Sequence, residues 1–444
     1  MLSIYIHIPF CIKKCNYCDF LSFSAPEDLR ERYAAALCNE IRVYSEVLPA
    51  DRKDVYTIFF GGGTPSLLTP EQLNRIMGTV YDGFNVTAGA EVSMECNPGT
   101  VTEESLRSFR KTGINRLSIG LQCANDNELK ILGRIHDYEQ FTNTYNAARR
   151  VGFENLNVDI ISAVPGQTVE SYRKTLTEVV NHDPEHISAY SLIIEEGTKF
   201  HDLYAYDRGV TSSCTESVHR PECKTDKRGS DTEEHDTEAE MSKNDAAVPP
   251  LPDEEDERRM YYLTREMLER AGYHRYEISN YSKAGFECRH NNVYWTGKDY
   301  IGIGLGASSY MKGIRYKNPE DIREYIRLYG EGYGVRPGGA KDMGERTAED
   351  TAAFLQNETL HREIDVLSAG DMMEEYMFLG LRRMEGVSAG KFEEKFGTDI
   401  LDVYGPVIDK AVSDGLLTRK GDMIALTDRG IDVSNVVLSN FLLD

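Results

Sequence analysis

The sequence predicts an α/β chain: six parallel strands curved into a partial (β/α)6 TIM-like barrel, followed by an α+β, winged-helix-like C-terminal region. Three observations lead there. From Ser3 to Ile194 short β-rich runs alternate with longer amphipathic stretches at a nearly constant interval, the rhythm of repeated βα units. The strands carry one apolar and one polar face. A cysteine triad directly follows the first of them.

The strands read SIYIHIP, DVYTIFFGG, EVSMECN, INRLSIGLQ, NLNVDIISA and HISAYSLII, each followed by a helical pattern such as the one from Pro26 to about Glu46. Parallel strands joined by helices require right-handed crossovers. Because side chains alternate across a pleated strand, Ile4, Ile6 and Ile8 point away from Tyr5 and His7. Likewise Val92, Met94 and Cys96 oppose Glu91, Ser93, Glu95 and Asn97, and Leu117, Ile119 and Leu121 oppose Arg116, Ser118, Gly120 and Gln122. In the fifth strand Leu156, Val158 and Ile160 oppose Asn157 and Asp159. A doubly wound sheet needs apolar side chains on both faces, and a closed eight-stranded barrel fills its interior with Val, Ile and Leu. A partial barrel with helices outside and a hydrophilic ligand inside suits one polar face; the alternative is that inner charges pair with one another, as Glu91 and Arg116 could.

The chain divides into a barrel core at 1–205, a flexible acidic low-complexity insertion at 206–253, a barrel-closing extension at 254–367 and a C-terminal unit at 368–444. Residues 207–253 hold no aromatic residue and one leucine, too little apolar surface to offset the entropy of ordering. Cys214, His219 and Cys223 lie there without a fourth ligand nearby. In the extension, Glu255 to Ala271 reads as a helix, and the YHRYEISNYS and YIGIGLGASSY runs read as irregular strands and a glycine-rich loop. The last unit has a helix–hairpin–helix order. With 73 acids against 50 bases, a net charge of -23 repels nucleic acid, so a packing or lid role suits this unit better than DNA binding. No apolar run reaches the length of a membrane span, and no charged-then-apolar leader follows Met1. The expectation is a cytoplasmic protein with reduced thiols, no membrane span and no nucleic-acid partner.

The strongest chemical signal is HIPFCIKKCNYCDF, where Cys11, Cys15 and Cys18 have CxxxCxxC spacing. A zinc site would need a fourth ligand, for which Asp19 and His7 are the nearest candidates. A [4Fe-4S] cluster on three cysteines keeps one iron open. The second signal is GGGTPS, Gly61 to Ser66, whose glycines permit close backbone approach to a ligand and which lacks the GK[ST] ending of a phosphate loop.

CxxxCxxC after the first strand of a partial barrel resembles the radical SAM superfamily, whose open iron takes the amino and carboxylate groups of S-adenosylmethionine (SAM). YIHIPFC, GGGTPS, ECNPG, GINRLSIGLQ, LGRIH, NVDIISAVPGQT, HISAYSL with EEGT, HNNVYW and VSNVVLSNFL resemble the oxygen-independent coproporphyrinogen III oxidase family, most closely its HemW heme-chaperone branch. This resemblance implies SAM contacts at Tyr5, Tyr17, Gly62, Gly63, Thr64, Glu95, Gln122, Arg134, Asp159 and Ile193, of which strand parity independently turns Glu95, Gln122 and Asp159 inward. It also implies a cluster on Cys11, Cys15 and Cys18, bound heme, a heme-acceptor protein, and a flavodoxin- or ferredoxin-like reductant. His290, the loop histidine of HNNVYW, is a tentative heme ligand, with Tyr294 and Trp295 packing on the macrocycle. The oxidase branch resembles CxxxCxxCxC with a substantial preceding segment; here position 20 is Phe and Cys11 lies near the start. In GLGASSY, Ser308 stands where the branch has His. The expected function is therefore a heme chaperone, with coproporphyrinogen III oxidation or another radical SAM reaction as alternatives, and enzymatic SAM cleavage left open.

Overall fold

The computed structural model describes residues 1–204, 248–330 and 347–443. Cys214, His219, Cys223 and the expected insertion up to residue 247 lie outside the described residues.

The six expected strands form and pair side by side in chain order, all parallel: β1 (Leu2–Ile8), β2 (Asp54–Gly62), β3 (Asn85–Cys96), β4 (Arg116–Gln122), β5 (Asn155–Ser162) and β6 (His186–Ser191). The apolar residues picked by alternation, from Ile4, Ile6 and Ile8 to Leu156, Val158 and Ile160, all enter one buried core beneath the surrounding helices. Each such side chain stabilises the fold by about 1.5–3 kcal/mol relative to exposure.

The helix Glu27–Val47 shows why these elements form where they do. Glu27 and Asp28 in its first turn complement the helix dipole, and Tyr33, Leu37, Ile41 and Tyr44 bury one stripe against the sheet. It ends because Pro49 disfavours helical backbone at Leu48, which is extended. The same helix carries a carboxylate that pattern analysis missed. Glu40 is fully buried and accepts from Gly304 N (2.8 Å), from Asn318 Nδ2 (2.6 Å) and from the Tyr325 hydroxyl; burial still pushes it up to about 7. Tyr33 donates to the His7 carbonyl (2.7 Å) and accepts from Leu305 N (2.9 Å). Glu40 and Tyr33 thereby fasten the GLGAS loop beside the C-terminal end of β1.

The extension does not close the barrel as irregular strands would. It lengthens the sheet at both edges. Tyr300–Ile303 pairs parallel to β1 and is continued by Ser308–Met311, Ile314–Lys317 and Arg362–Val366, while Asn280–Ser282 and His274–Arg275 add antiparallel to β6. The physical reason is that an open barrel has two edges whose N–H and C=O groups need partners. The end of the expected insertion is also docked rather than loose. Gly166 N donates to Pro250 O (2.8 Å), Tyr204 donates to Pro249 O (2.9 Å), and Leu251 packs near Cys123, Leu129 and Phe200.

The C-terminal unit has its own core, from Met377 to Phe441. Its three-stranded sheet (Val387–Ser388, Met423–Leu426, Leu417–Lys420) lies with the helices Ala369–Gly380, Ala389–Phe396 and Ile400–Ser413, in the manner of a winged helix.

Candidate functional site

The site begins where Pro9 and Phe10 leave β1. Phe10 and Phe23 bridge, Phe23 N donates to Pro9 O (2.9 Å) and Cys11 N donates to Phe23 O (3.0 Å), so the cysteine loop is pinched at its base. Its far side is tied across the barrel mouth. Asn16 N donates to Leu132 O (2.9 Å), Asn16 Nδ2 to Ile131 O (2.9 Å), and Phe200 N to Asn16 O (3.0 Å). Beneath it His7 Nε2 faces the Leu21 carbonyl (2.9 Å), which fixes the proton there and leaves Nδ1 to accept from the Tyr5 hydroxyl (3.0 Å). Burial lowers the His7 pKa, so the ring stays neutral.

The three cysteines are half-buried and none is in a disulfide. Two of their sulfurs receive a donor from the barrel. Thr64 Oγ1 lies 3.4 Å from Cys11 Sγ and accepts from Asn97 Nδ2 (2.8 Å), which leaves its proton for the sulfur. Arg134 Nη1 lies 3.6 Å from Cys15 Sγ, while its Nη2 donates to Asn97 Oδ1 (2.7 Å) and Gly120 O (3.0 Å). Arg134 Nε is buried without a partner among the described residues. Burial raises the Cys18 thiol, and Cys15 and Cys11 add smaller contributions in the same direction.

The glycine motif packs on this loop by backbone. A Cβ on Gly62 (φ +109°) would meet the His7 ring at 2.3 Å, and one on Gly63 would meet Phe10 O at 2.8 Å. Gly62 N donates to Glu95 Oε2 (3.1 Å). The Glu95 carboxyl is pushed up to about 8 by burial and by nearby Asp159. Asp159 is raised by burial in spite of its donors, Asn157 Nδ2 (2.7 Å) and Ser118 Oγ (3.0 Å). Gln122 is held at φ +68° where β4 shifts register against β5, a backbone region that costs a non-glycine residue about 1–2 kcal/mol. Burial raises the Tyr17 phenol, and the Arg134 guanidinium beside it opposes the shift. Ile193 is 68% exposed just after β6.

HNNVYW is the barrel floor, and the loop expected there is a helix, Arg289–Trp295. Glu91 holds its start, accepting from Arg289 N (3.0 Å) and His290 N (3.1 Å). Glu91 is thus committed to the helix rather than to a direct ion pair with Arg116, whose guanidinium is buried beside it at 2% exposure. His290 is 1% exposed. Thr57 donates to Ser3 Oγ (2.8 Å), so its oxygen accepts from His290 Nδ1 (2.9 Å); Nε2 then accepts from the Tyr294 hydroxyl (2.9 Å). Burial and Arg116 lower the imidazole to about 3. Its ring stacks on Phe59 (5.2 Å), which stacks on Tyr5 (6.3 Å), so aromatic rings run from the floor to the middle of β1. Trp295 lies under the Arg382 guanidinium of the C-terminal unit at 4.6 Å.

The sequence was compared with known proteins. The model of the radical SAM superfamily matches residues 5–179, and that of the HemN C-terminal domain matches 367–433. The chain is 32% identical over 444 residues to "Heme chaperone HemW" of Bacillus subtilis, covering 100% of this chain and 99% of that protein. The chain belongs to the HemW family of radical SAM proteins. Another relative in the family, "Heme chaperone HemW" of Escherichia coli, is 30% identical over 442 residues, 99% of this chain and 98% of its own. Among solved structures, the coproporphyrinogen III oxidase HemN from Escherichia coli superposes with a TM-score of 0.73 at 21% identity, over 99% of this chain and 90% of that one, a likeness of fold.

Radical SAM membership implies a [4Fe-4S] cluster and SAM, and the donors of this HemW-family chain fit them. Three thiols stand on one tethered loop with a hydroxyl and a guanidinium aimed at sulfur, contacts that favour the thiolate. Among the described residues no three His, Cys, Asp or Glu side chains converge on a single-ion site, and His7 has no free nitrogen for zinc. The structure gathers Tyr5, Gly62, Gly63, Thr64, Glu95, Gln122, Arg134 and Asp159 around the C-terminal strand ends, with Tyr17 against Arg134 and Ile193 farther out. Sequence reasoning missed His7 and Asn97 as bridges. Parity had turned both inward, and that was the available signal.

Both nitrogens of His290 are engaged and its ring is shut inside the floor, an arrangement that weighs against the heme-ligand expectation. His290→Ala is expected to leave the Soret band of added heme unchanged while destabilising the chain by about 2–4 kcal/mol, from two lost hydrogen bonds and a cavity. Parallel heme titration and urea unfolding check this; a shifted Soret maximum would restore ligation.

Proposed function

We propose that this chain is a heme chaperone of the radical SAM type, working in the cytoplasm, which binds a [4Fe-4S] cluster, SAM and heme and passes heme to an acceptor protein. A flavodoxin- or ferredoxin-like carrier supplies its electron. The observation that carries this reading is the end-to-end likeness to proteins named heme chaperones. Phe20, where the oxidase branch has its fourth cysteine, supports it. When bound, cluster and SAM supply one-electron chemistry.

Cys11, Cys15 and Cys18 hold the cluster in this reading. Gly62, Gly63 and Thr64 present backbone groups to the SAM amino group, and Arg134 suits its carboxylate because guanidinium pairs well with carboxylates. Glu95 and Gln122 serve the methionyl and adenosyl parts, Asp159 the ribose, and Tyr5, Tyr17 and Ile193 pack against the ligand. Glu95→Ala, Gln122→Ala and Asp159→Ala are each expected to weaken SAM binding by about 1–3 kcal/mol. Burial and the nearby Asp159 let Glu95 keep its proton up to about pH 8. SAM is cationic and favours the ionised carboxylate, so its binding expels that proton, and affinity should rise with pH until about 8 and then level off. Equilibrium dialysis across pH checks both; a flat profile together with unchanged affinity in all three variants would remove SAM from this face.

The function itself is tested by anaerobic reconstitution followed by heme titration and coproporphyrinogen III turnover in parallel. The expected result is bound heme that transfers to an acceptor, and no protoporphyrinogen IX. Multiple turnovers of decarboxylation would overturn the reading.

A further inference from the structure

The cysteine loop shows solvent a narrow set of side chains. Cys11 and residues 15–18 are half-buried, and the exposed positions between β1 and Leu21 are Ile12, Lys13, Lys14, Asp19 and Phe20. Ile12 is 56% and Phe20 66% exposed, unusual for large apolar side chains. Lys13 and Lys14 form no hydrogen bond or ion pair among the described residues. They sit between two cluster cysteines on a loop tied at its base through Phe10 and Phe23 and at its far side through Asn16.

This composition is out of keeping with the rest of the molecule. The chain carries a net charge of -23, and acids surround the mouth as well: Asp19 on the loop itself, and Glu195 and Glu196 on the segment leading to Phe200, which bonds Asn16. The net charge repels an acidic protein at long range; over Cys11–Cys15 such a protein meets two free ammonium groups beside exposed apolar side chains. An electron bound for the cluster must enter close to its ligands, and the exposed residues Ile12, Lys13 and Lys14 lie directly between two of them in the chain.

We propose that Ile12, Lys13, Lys14 and Phe20 form the docking surface for an acidic one-electron carrier protein, with the lysines steering and the apolar pair making the contact. The inference rests on the cluster assignment above. The exchange is balanced by the two partners alone: the carrier is oxidised by one electron, the cluster is reduced by one, and no atom or proton changes hands. The lysines then bias a negatively charged partner toward the orientation that faces the cluster.

The test uses the reconstituted full chain and oxidised flavodoxin, an acidic FMN protein, with the dissociation constant read by calorimetry at low and high salt. K13E/K14E is expected to weaken binding about tenfold or more and to remove most of its salt dependence, whereas K13R/K14R retains both. R419E/K420E, with the same charge change on the exposed C-terminal hairpin, leaves the affinity unchanged. Reduction of the cluster, followed by bleaching, slows in K13E/K14E with reduced flavodoxin but keeps its rate with a neutral photoreduced deazaflavin. Unchanged affinity in K13E/K14E, or equal losses in both charge-reversed pairs, would overturn the proposal. So would intact flavodoxin binding beside lost binding of phosphatidylserine vesicles or heme, since the patch would then serve one of those. Heme titration is read separately, so a chain that binds the carrier through its lysines but holds no heme would refute the chaperone function and leave the docking surface standing.

Discussion

Alanine at any one of Cys11, Cys15 or Cys18 is expected to remove most of the iron taken up on anaerobic reconstitution, together with the cluster's visible absorption. Three ligands are the minimum that holds a four-iron cluster while leaving one iron open, so the loss of one leaves two adjacent irons without a protein ligand. The loop itself should survive, because its fastenings run through Phe10, Phe23, Asn16 and His7 rather than through sulfur. Near-normal circular dichroism alongside lost iron is therefore the expected pair of results. Cys38, Cys96, Cys123 and Cys288 are buried in packed surroundings and lie outside the loop sequence, and their Ala variants should keep their iron. Iron loss in one of those four equal to that of the triad, with the fold intact, would reject the assignment.

Glu91→Ala is expected to be the most destabilising single substitution in the barrel, by about 3–5 kcal/mol, the usual cost of breaking a buried charge arrangement from one side. The carboxylate accepts the first two N–H groups of the helix Arg289–Trp295, and its charge balances the buried Arg116 guanidinium. Removing it orphans both donors and leaves Arg116 without its nearest acid. His290 follows Glu91 through the helix, so the stack from His290 through Phe59 to Tyr5 should loosen and SAM affinity should fall with it. Glu91→Gln keeps an acceptor and loses the charge, and an intermediate cost is expected. Urea unfolding with SAM titration on both variants measures this; a loss below about 1 kcal/mol in Glu91→Ala would mean that internal water satisfies the helix start.

The elements legible in the sequence share one property: their signal is local. Alternation within a strand depends only on neighbouring residues, which is why the inward set containing Glu95, Gln122 and Asp159 could be read before any fold was known. The cysteine triad is encoded in eight consecutive residues. The helix Glu27–Val47 has its acidic start, apolar stripe and terminating proline in contiguous sequence. Where local signals were weak, reading faltered. His290 belongs to a seven-residue helix that periodicity cannot detect, and its start is secured by a carboxylate nearly two hundred positions away. Strand Tyr300–Ile303 reads as an irregular glycine-rich run because its pairing partner is β1, some three hundred positions earlier in the chain.

By itself, then, the sequence determined the six-stranded partial barrel, its polar interior, the triad and the resemblance that led to the family, because each is written in spacing along the chain. Tertiary structure alone decided what the polar groups do. It made Glu91 the anchor of the floor helix as well as the charge beside Arg116, and engaged both nitrogens of His290. It also aimed Thr64 and Arg134 at the cluster sulfurs and buried Glu40 as the clasp of the GLGAS loop. A buried polar atom must find a partner or bear the cost of desolvation, and that partner is chosen by proximity in space, which no periodicity in the chain records.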